Sequence, residues 1–203
     1  MQRIIFSILS LVLISFSCYP QGNTADQILN KSVAAISSAK GMTASFSIGS
    51  NAGKGELKIS GKKFFVALPD AQVWYNGTNL YTYNKNSGET TLTNPTAEEL
   101  AEVNPLEYVK NASKHYSAAF SLKKIPGKQV LDLTPKNNKG QIKKITLTLR
   151  SSDYMPEKLV IEPKSGKSIT ISINNLKAVN SLNSSEFEYP ASKFKNVELI
   201  DLR

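Results

Sequence analysis

Residues 70–84 read DAQVWYNGTNLYTYN, two apolar and aromatic runs hinged at Asn76-Gly77. The runs have the period of two of a pleated strand, and Asn-Gly accepts the positive backbone angles of a tight hairpin turn. Two antiparallel strands are therefore predicted. Strands this aromatic can line a core, a binding cavity or a substrate cleft.

Outward from this hairpin the same period persists. Segments 42–50, 54–60 and 63–68 precede it and 89–93 follows it, punctuated by Gly, Asn and Pro, with Ser87-Gly88 as a second hinge. This half reads as a meander. Before it, Thr24 and Gln27 form a capping box, and Ile28, Leu29, Ser32, Val33, Ile36 and Ala39 recur at helical spacing until Gly41. After it, Thr96 and Glu99 form a second capping box. Leu100, Val103, Leu106 and Val109 mark an apolar stripe broken at Asn104-Pro105, which predicts two short helices ending near Asn111. Strands resume over 116–122, 129–134, 141–149, 157–162 and 168–175, with Ile145, Leu147 and Leu149 facing one way and Lys and Thr the other. One sheet face is thus expected to be apolar and the other wet.

About eleven strands are too many for one flat open sheet, and few helices are present to cover its apolar face. A curved sheet wrapped round the helices resolves this. The expected fold is α+β and mainly β, an incomplete (half) antiparallel barrel with a helical lid or plug.

The chain opens with a single positive charge at Arg3, then an apolar run over 4–16 and the small or turn-forming residues Ser17, Cys18, Pro20 and Gly22. This reads as a secretory signal peptide over 1–20, too short for the roughly 20 residues of a membrane span. Export and a single domain over 21–203 are the expectations. Cys18, the only cysteine, is either lost with the leader or lipidated as the first residue of a lipoprotein, and neither leaves an internal disulfide. The net charge is +9, one less without Arg3, carried mostly by lysine. Export, despite this positive charge, argues against a nucleic-acid partner; lysines guarding strand edges, or attraction to anionic membrane surfaces or acidic partners, account for the charge.

Catalytic apparatus is hard to assemble. His115 is the only histidine, with no second imidazole or thiol for a zinc site or a nucleophilic pair. Glu98, Glu99 and Glu102 suit a helix first turn, and no phosphate loop or serine elbow is found. The expectation is no enzyme, no cofactor and no metal, with a binding or carrier role left by elimination.

The order of features carries a resemblance. The helix, GKGELKISGKKFFVALP, VWYNGTNLYTYNKNSGETTLT, NPLEYV, LDLTPKNNKGQIKKITLTL and the terminal FEYPASKFKNVELIDLR together resemble the periplasmic outer-membrane lipoprotein carrier proteins, the LolA family. The resemblance implies an eleven-stranded half-barrel whose concave face holds the acyl chains of a lipoprotein. Cargo would come from an inner-membrane lipoprotein-releasing transporter and pass to an outer-membrane acceptor or the membrane surface, with a monomer as carrier. A lipid-anchored acceptor and a sensor of mislocalised lipoproteins are the alternatives.

On this reading the lipid-binding wall takes Val73, Tyr75, Leu80 and Tyr83, with Trp74 and Tyr81 on one face or the other. Phe46, Ile48, Leu57, Ile59 and Phe65 extend it, as do Ile145, Leu147, Leu149, Ile169, Ile171 and Ile173. Leu100, Val103, Leu106 and Val109, with Tyr108, form the plug. Members of the family tie the lid shut with an arginine; here Ile59-Ser60-Gly61-Lys62-Lys63 has none, which implies a weaker or missing latch.

Overall fold

Thr24 starts the first helix as its sequence demands: its hydroxyl accepts from the Gln27 amide, and the Gln27 side chain answers the Thr24 amide. The structure is a computed structural model describing residues 23–49 and 53–203; the expected leader and Cys18 lie outside the described residues. Helix α1 (Ala25–Ser37) buries Ile28, Leu29, Ser32 and Ile36. Six strands follow: β1 (Gly41–Ile48), β2 (Lys54–Ser60), β3 (Lys63–Ala67), β4 (Ala71–Tyr75), β5 (Leu80–Asn84) and β6 (Glu89–Thr93). The helical insert has three pieces rather than two, α2 (Ala97–Val103), α3 (Pro105–Lys110) and α4 (Ala112–His115). Then come β7 (Tyr116–Phe120), β8 (Lys128–Pro135), β9 (Ile142–Arg150), β10 (Pro156–Pro163), β11 (Ile169–Val179), two 3-10 turns and β12 (Glu198–Asp201).

The sheet has twelve strands rather than eleven, in the order β12-β6-β5-β4-β3-β2-β1-β11-β10-β9-β8-β7. Pairing of β1 with β11 fuses the two meanders, and β7 and β12 remain as separate edges, so the half-barrel stays open. Every pairing is antiparallel except that of β12 with β6, which is parallel. The free edge of β7 is partly blocked where Asp26, at the start of α1, accepts a hydrogen bond from the Ala118 amide at 3.2 Å.

Register turns the period of two into continuous apolar rows, because directly opposed residues share a face. Phe120, Leu131, Leu147, Leu159, Ile171 and Ile48 oppose one another in turn across β7, β8, β9, β10, β11 and β1. Met42, Ile59, Phe64, Tyr75 and Leu80 do the same across β1 to β5. Gly55 opposes Phe46 and must be glycine there, since a Cβ would fall 2.4 Å from the Phe46 ring.

The expectation of a uniformly wet convex face needs correcting. Over β8 to β11 that face is polar, but over β3 to β6 it carries Phe65, Trp74, Tyr81 and Tyr83. The segment after β11 folds back to cover them. Tyr189 stacks on Tyr81 at 4.9 Å between ring centroids, Phe194 meets Tyr83 at 4.6 Å, and both meet Trp74 edge-on. Lys58 pairs with Glu186, and Lys63 with Glu188 at 3.6 Å, to fasten the same segment.

Candidate functional site

The concave rows meet the helices. Leu131, Ile145, Leu147 and Leu149 of the wall, and Leu29, Leu106 and Ala112 of the helices, have no solvent exposure at all. Of the expected wall, Val73, Leu80, Phe46, Leu57, Ile59, Ile145, Leu147, Leu149, Ile171 and Ile173 join this one buried cluster. Tyr75 and Ile48 pack against its margin, as do Leu100, Val103 and Tyr108 of the plug, while Leu106 and Val109 lie fully inside it. The concavity is filled by the protein's own side chains, so an acyl chain can reach the wall only where these helices move aside.

Three residues assigned to the wall sit elsewhere. Phe65 opposes Trp74 and faces the convex side, leaving Phe64 to occupy the core. The run Lys63–Ala67 is apolar at every position after the lysine and has no alternation to read; its parity is set by pairing with Leu57 and Ile59. Tyr83 opposes Gln72 and packs on Phe194, on the convex face. Its separation of three from Leu80 already places the two on opposite faces. Ile169 keeps the inner parity, opposite Ile161, but lies at the rim with 47% exposure. Trp74 and Tyr81, left open by the sequence, both face outward. Met42, Leu133, Leu159 and Ile161 belong to the wall and were missed, although period-two spacing within their strands carried the signal; Val66 joins them from the run that has no alternation.

The plug is three short helices joined at hydrogen-bonded hinges. Asn104 is fully buried between α2 and α3, its Oδ1 accepting from the Leu106 amide at 3.1 Å, and Pro105 starts α3 where no amide is needed. Lys110 Nζ donates to the Gly61 carbonyl at 3.1 Å in the β2–β3 turn and pairs with Glu107 at 3.2 Å. A lid-to-sheet tie therefore exists in the turn where the arginine is missing, with its donor on the lid. At the other helix, Lys31 lies 5.0 Å from the centre of the Tyr154 ring and hydrogen-bonds Asn23 at 2.9 Å.

Burial, reinforced by the negative charge of Glu107, raises the Tyr75 hydroxyl above its ordinary range, and it donates to the Gly77 carbonyl at 2.9 Å. Burial also raises Tyr116, with Tyr108 adding to the effect. Tyr108 and Tyr116, with Ala97, Ala101 and Ile142, line a cleft of about 470 Å³ between the plug and the ends of β7 to β9. His115 ends α4 and is exposed on the rim of this cleft.

An open antiparallel half-barrel stoppered by its own helices defines the class. The family model described as outer membrane lipoprotein carrier protein LolA matches residues 16–167, and the chain belongs to that family, one linked to lipoprotein binding and sorting in the cell envelope. An uncharacterized conserved protein from Thermus thermophilus has a similar fold, with TM-score 0.60 and 11% identity over 87% of this chain and 98% of that one. A LolA superfamily protein from Nitrosomonas europaea is similar at TM-score 0.43 and 13% identity, over 82% of this chain and 98% of that one. No curated protein sequence matches.

Proposed function

We propose that the protein is a non-catalytic periplasmic carrier that shields the acyl chains of lipoproteins against its concave wall and delivers them to the outer membrane. The observation that carries this reading is the contrast between wall and plug. The wall is continuous, apolar and built into one hydrogen-bonded sheet, whereas the plug is three helices of four to seven residues, each too short to be stable alone.

The energies suit reversible loading. Burying one plug side chain contributes roughly 1.5–3 kcal/mol, and each acyl methylene about 0.8 kcal/mol, so a plug of several residues and a fatty chain compete for the wall on similar terms. Cargo displaces the plug, and the plug in turn helps expel cargo. The cleft beside Tyr108 and Tyr116 is the natural access route, since it already separates plug from strands. Lys110 and Glu107 of the plug are largely covered, at 16% and 17% side-chain exposure, and their charges offset one another as an ion pair.

The test is titration of purified protein with a synthetic triacylated cysteinyl peptide, followed by calorimetry, against the same peptide without acyl chains. Saturable binding of the acylated form alone supports the carrier. Equal binding of both, or of neither, overturns it.

A further inference from the structure

We infer that the β7–β8 connection is a docking tip for an anionic lipid bilayer, with Leu122 as the inserting side chain and Lys123 and Lys124 as headgroup contacts. Leu122 is 98% exposed, the largest such value among the exposed large hydrophobic side chains described. Phe120 beside it is 44% exposed, and Lys124 Nζ lies 5.8 Å from the centre of the Phe120 ring. An isolated exposed leucine is ordinary, but one held on a built loop beside lysines is different.

The loop is pinned at both ends. The Ser121 amide donates to the Val130 carbonyl at 2.9 Å and its hydroxyl accepts from the Lys123 amide at 3.3 Å; the Ser151 amide donates to the Gly127 carbonyl at 3.1 Å. Leu122 thus projects from a fixed base.

The charge around the tip points to an anion. A groove of about 530 Å³ on the adjoining convex face has Lys123, Lys128, Arg150 and Lys158 along it, with the Thr146 and Thr148 side chains between them. Its carboxylate, Glu157, is occupied by Lys128 at 2.6 Å, and Arg150 by Asp153 at 2.8 Å. Lys123 and Lys158 have no carboxylate partner among the described residues. One leucine and two lysines offer far less than the roughly 800 Å² per partner that a stable protein interface needs, whereas a bilayer accepts a single apolar tip supported by several cations.

The position also has a use. Phe120 begins the row Phe120, Leu131, Leu147, Leu159, Ile171, so a docked tip brings one end of the apolar wall to the lipid surface. The docking surface does not depend on the carrier reading, because it is measured without cargo.

The experiment is flotation of the full mature protein with phosphatidylethanolamine vesicles, with and without phosphatidylglycerol. Wild type is expected to float with the phosphatidylglycerol vesicles and to be released by salt. Leu122→Asp is expected to lower partitioning on the order of tenfold, and Lys123→Ala and Lys124→Ala about fivefold each. Leu199→Asp, at an exposed apolar position on the opposite edge of the sheet, is expected to float as wild type does. Failure of wild type to float overturns the inference. So does Leu122→Asp or the lysine variants floating undiminished, or Leu199→Asp losing as much as Leu122→Asp. Flotation without binding of the acylated peptide sinks the carrier and leaves the docking tip standing.

Discussion

Lys110 Nζ, at the end of α3, donates to the carbonyl oxygen of Gly61 at 3.1 Å, so the plug is tied to the β2–β3 turn through a donor on the plug itself. Lys110 is held for this by Glu107, one turn earlier. Lys110→Met removes the tie while keeping the length of the apolar stem. The variant is expected to lose about 1 kcal/mol of stability and to bind an apolar fluorescent dye more strongly than wild type. Unchanged dye binding would mean that the plug is held by packing alone.

Wall and plug should respond differently to cargo. Leu147→Ala and Leu106→Ala each truncate a side chain with no exposure, and each is expected to destabilise the unliganded protein by roughly 2–5 kcal/mol. With saturating triacylated peptide, Leu106→Ala should recover most of its deficit, because the plug is already displaced, and Leu147→Ala should not. Denaturant unfolding with and without peptide measures both.

Gly55 and Phe46 make a second pair that can be tested. Gly55→Ala places a methyl group against a ring that is itself packed in the core, and a loss of about 1–3 kcal/mol is expected. Adding Phe46→Leu removes the ring tip and should return part of that loss. Losses that simply add would show the contact to be unimportant.

Trp74 is the only tryptophan of the chain, and it reports on the convex side. Tyr189→Ala should shift its emission by opening that face to water. Acylated peptide bound at the concave wall should leave it nearly unchanged. A large shift on peptide binding would place the ligand, or a coupled movement, on the convex face.

The same fluorophore follows acid release of the terminal segment. Hydrogen bonding from Lys58 holds the Glu186 carboxyl below its ordinary value of 4.5. A depressed folded-state value means stability present above pH 4.5 and lost as the pH falls through the lower, folded value. The Trp74 emission is therefore expected to drift below pH 4.5, and Lys58→Met should reduce the acid-dependent part. A drift that is the same in Lys58→Met would assign it to other carboxylates, among them Asp153, which Arg150 holds low.

Much of this architecture was legible in residue order. The capping boxes at Thr24 and Thr96 mark α1 and α2 because their chemistry is local, completed within four residues. The alternation of Ile145, Leu147 and Leu149 fixes both strand and face for the same reason. Phe65 was misplaced because Lys63–Ala67 presents apolar side chains on both faces, and only its partners decide which goes inward. The terminal Tyr189 and Phe194 gave no periodic signal, since they serve an outer surface made by strands about a hundred residues earlier.

By itself, then, the sequence determined a helix, two meanders and an insert, with an apolar side to most strands, because turns, caps and period-two patterns act between near neighbours. Only the tertiary structure decided that β1 joins β11, that the last segment covers the opposite face, and that Lys110 reaches Gly61. Those outcomes depend on which distant surfaces meet when apolar area is withdrawn from water, and the area removed is a property of the pair of surfaces and not of either stretch alone.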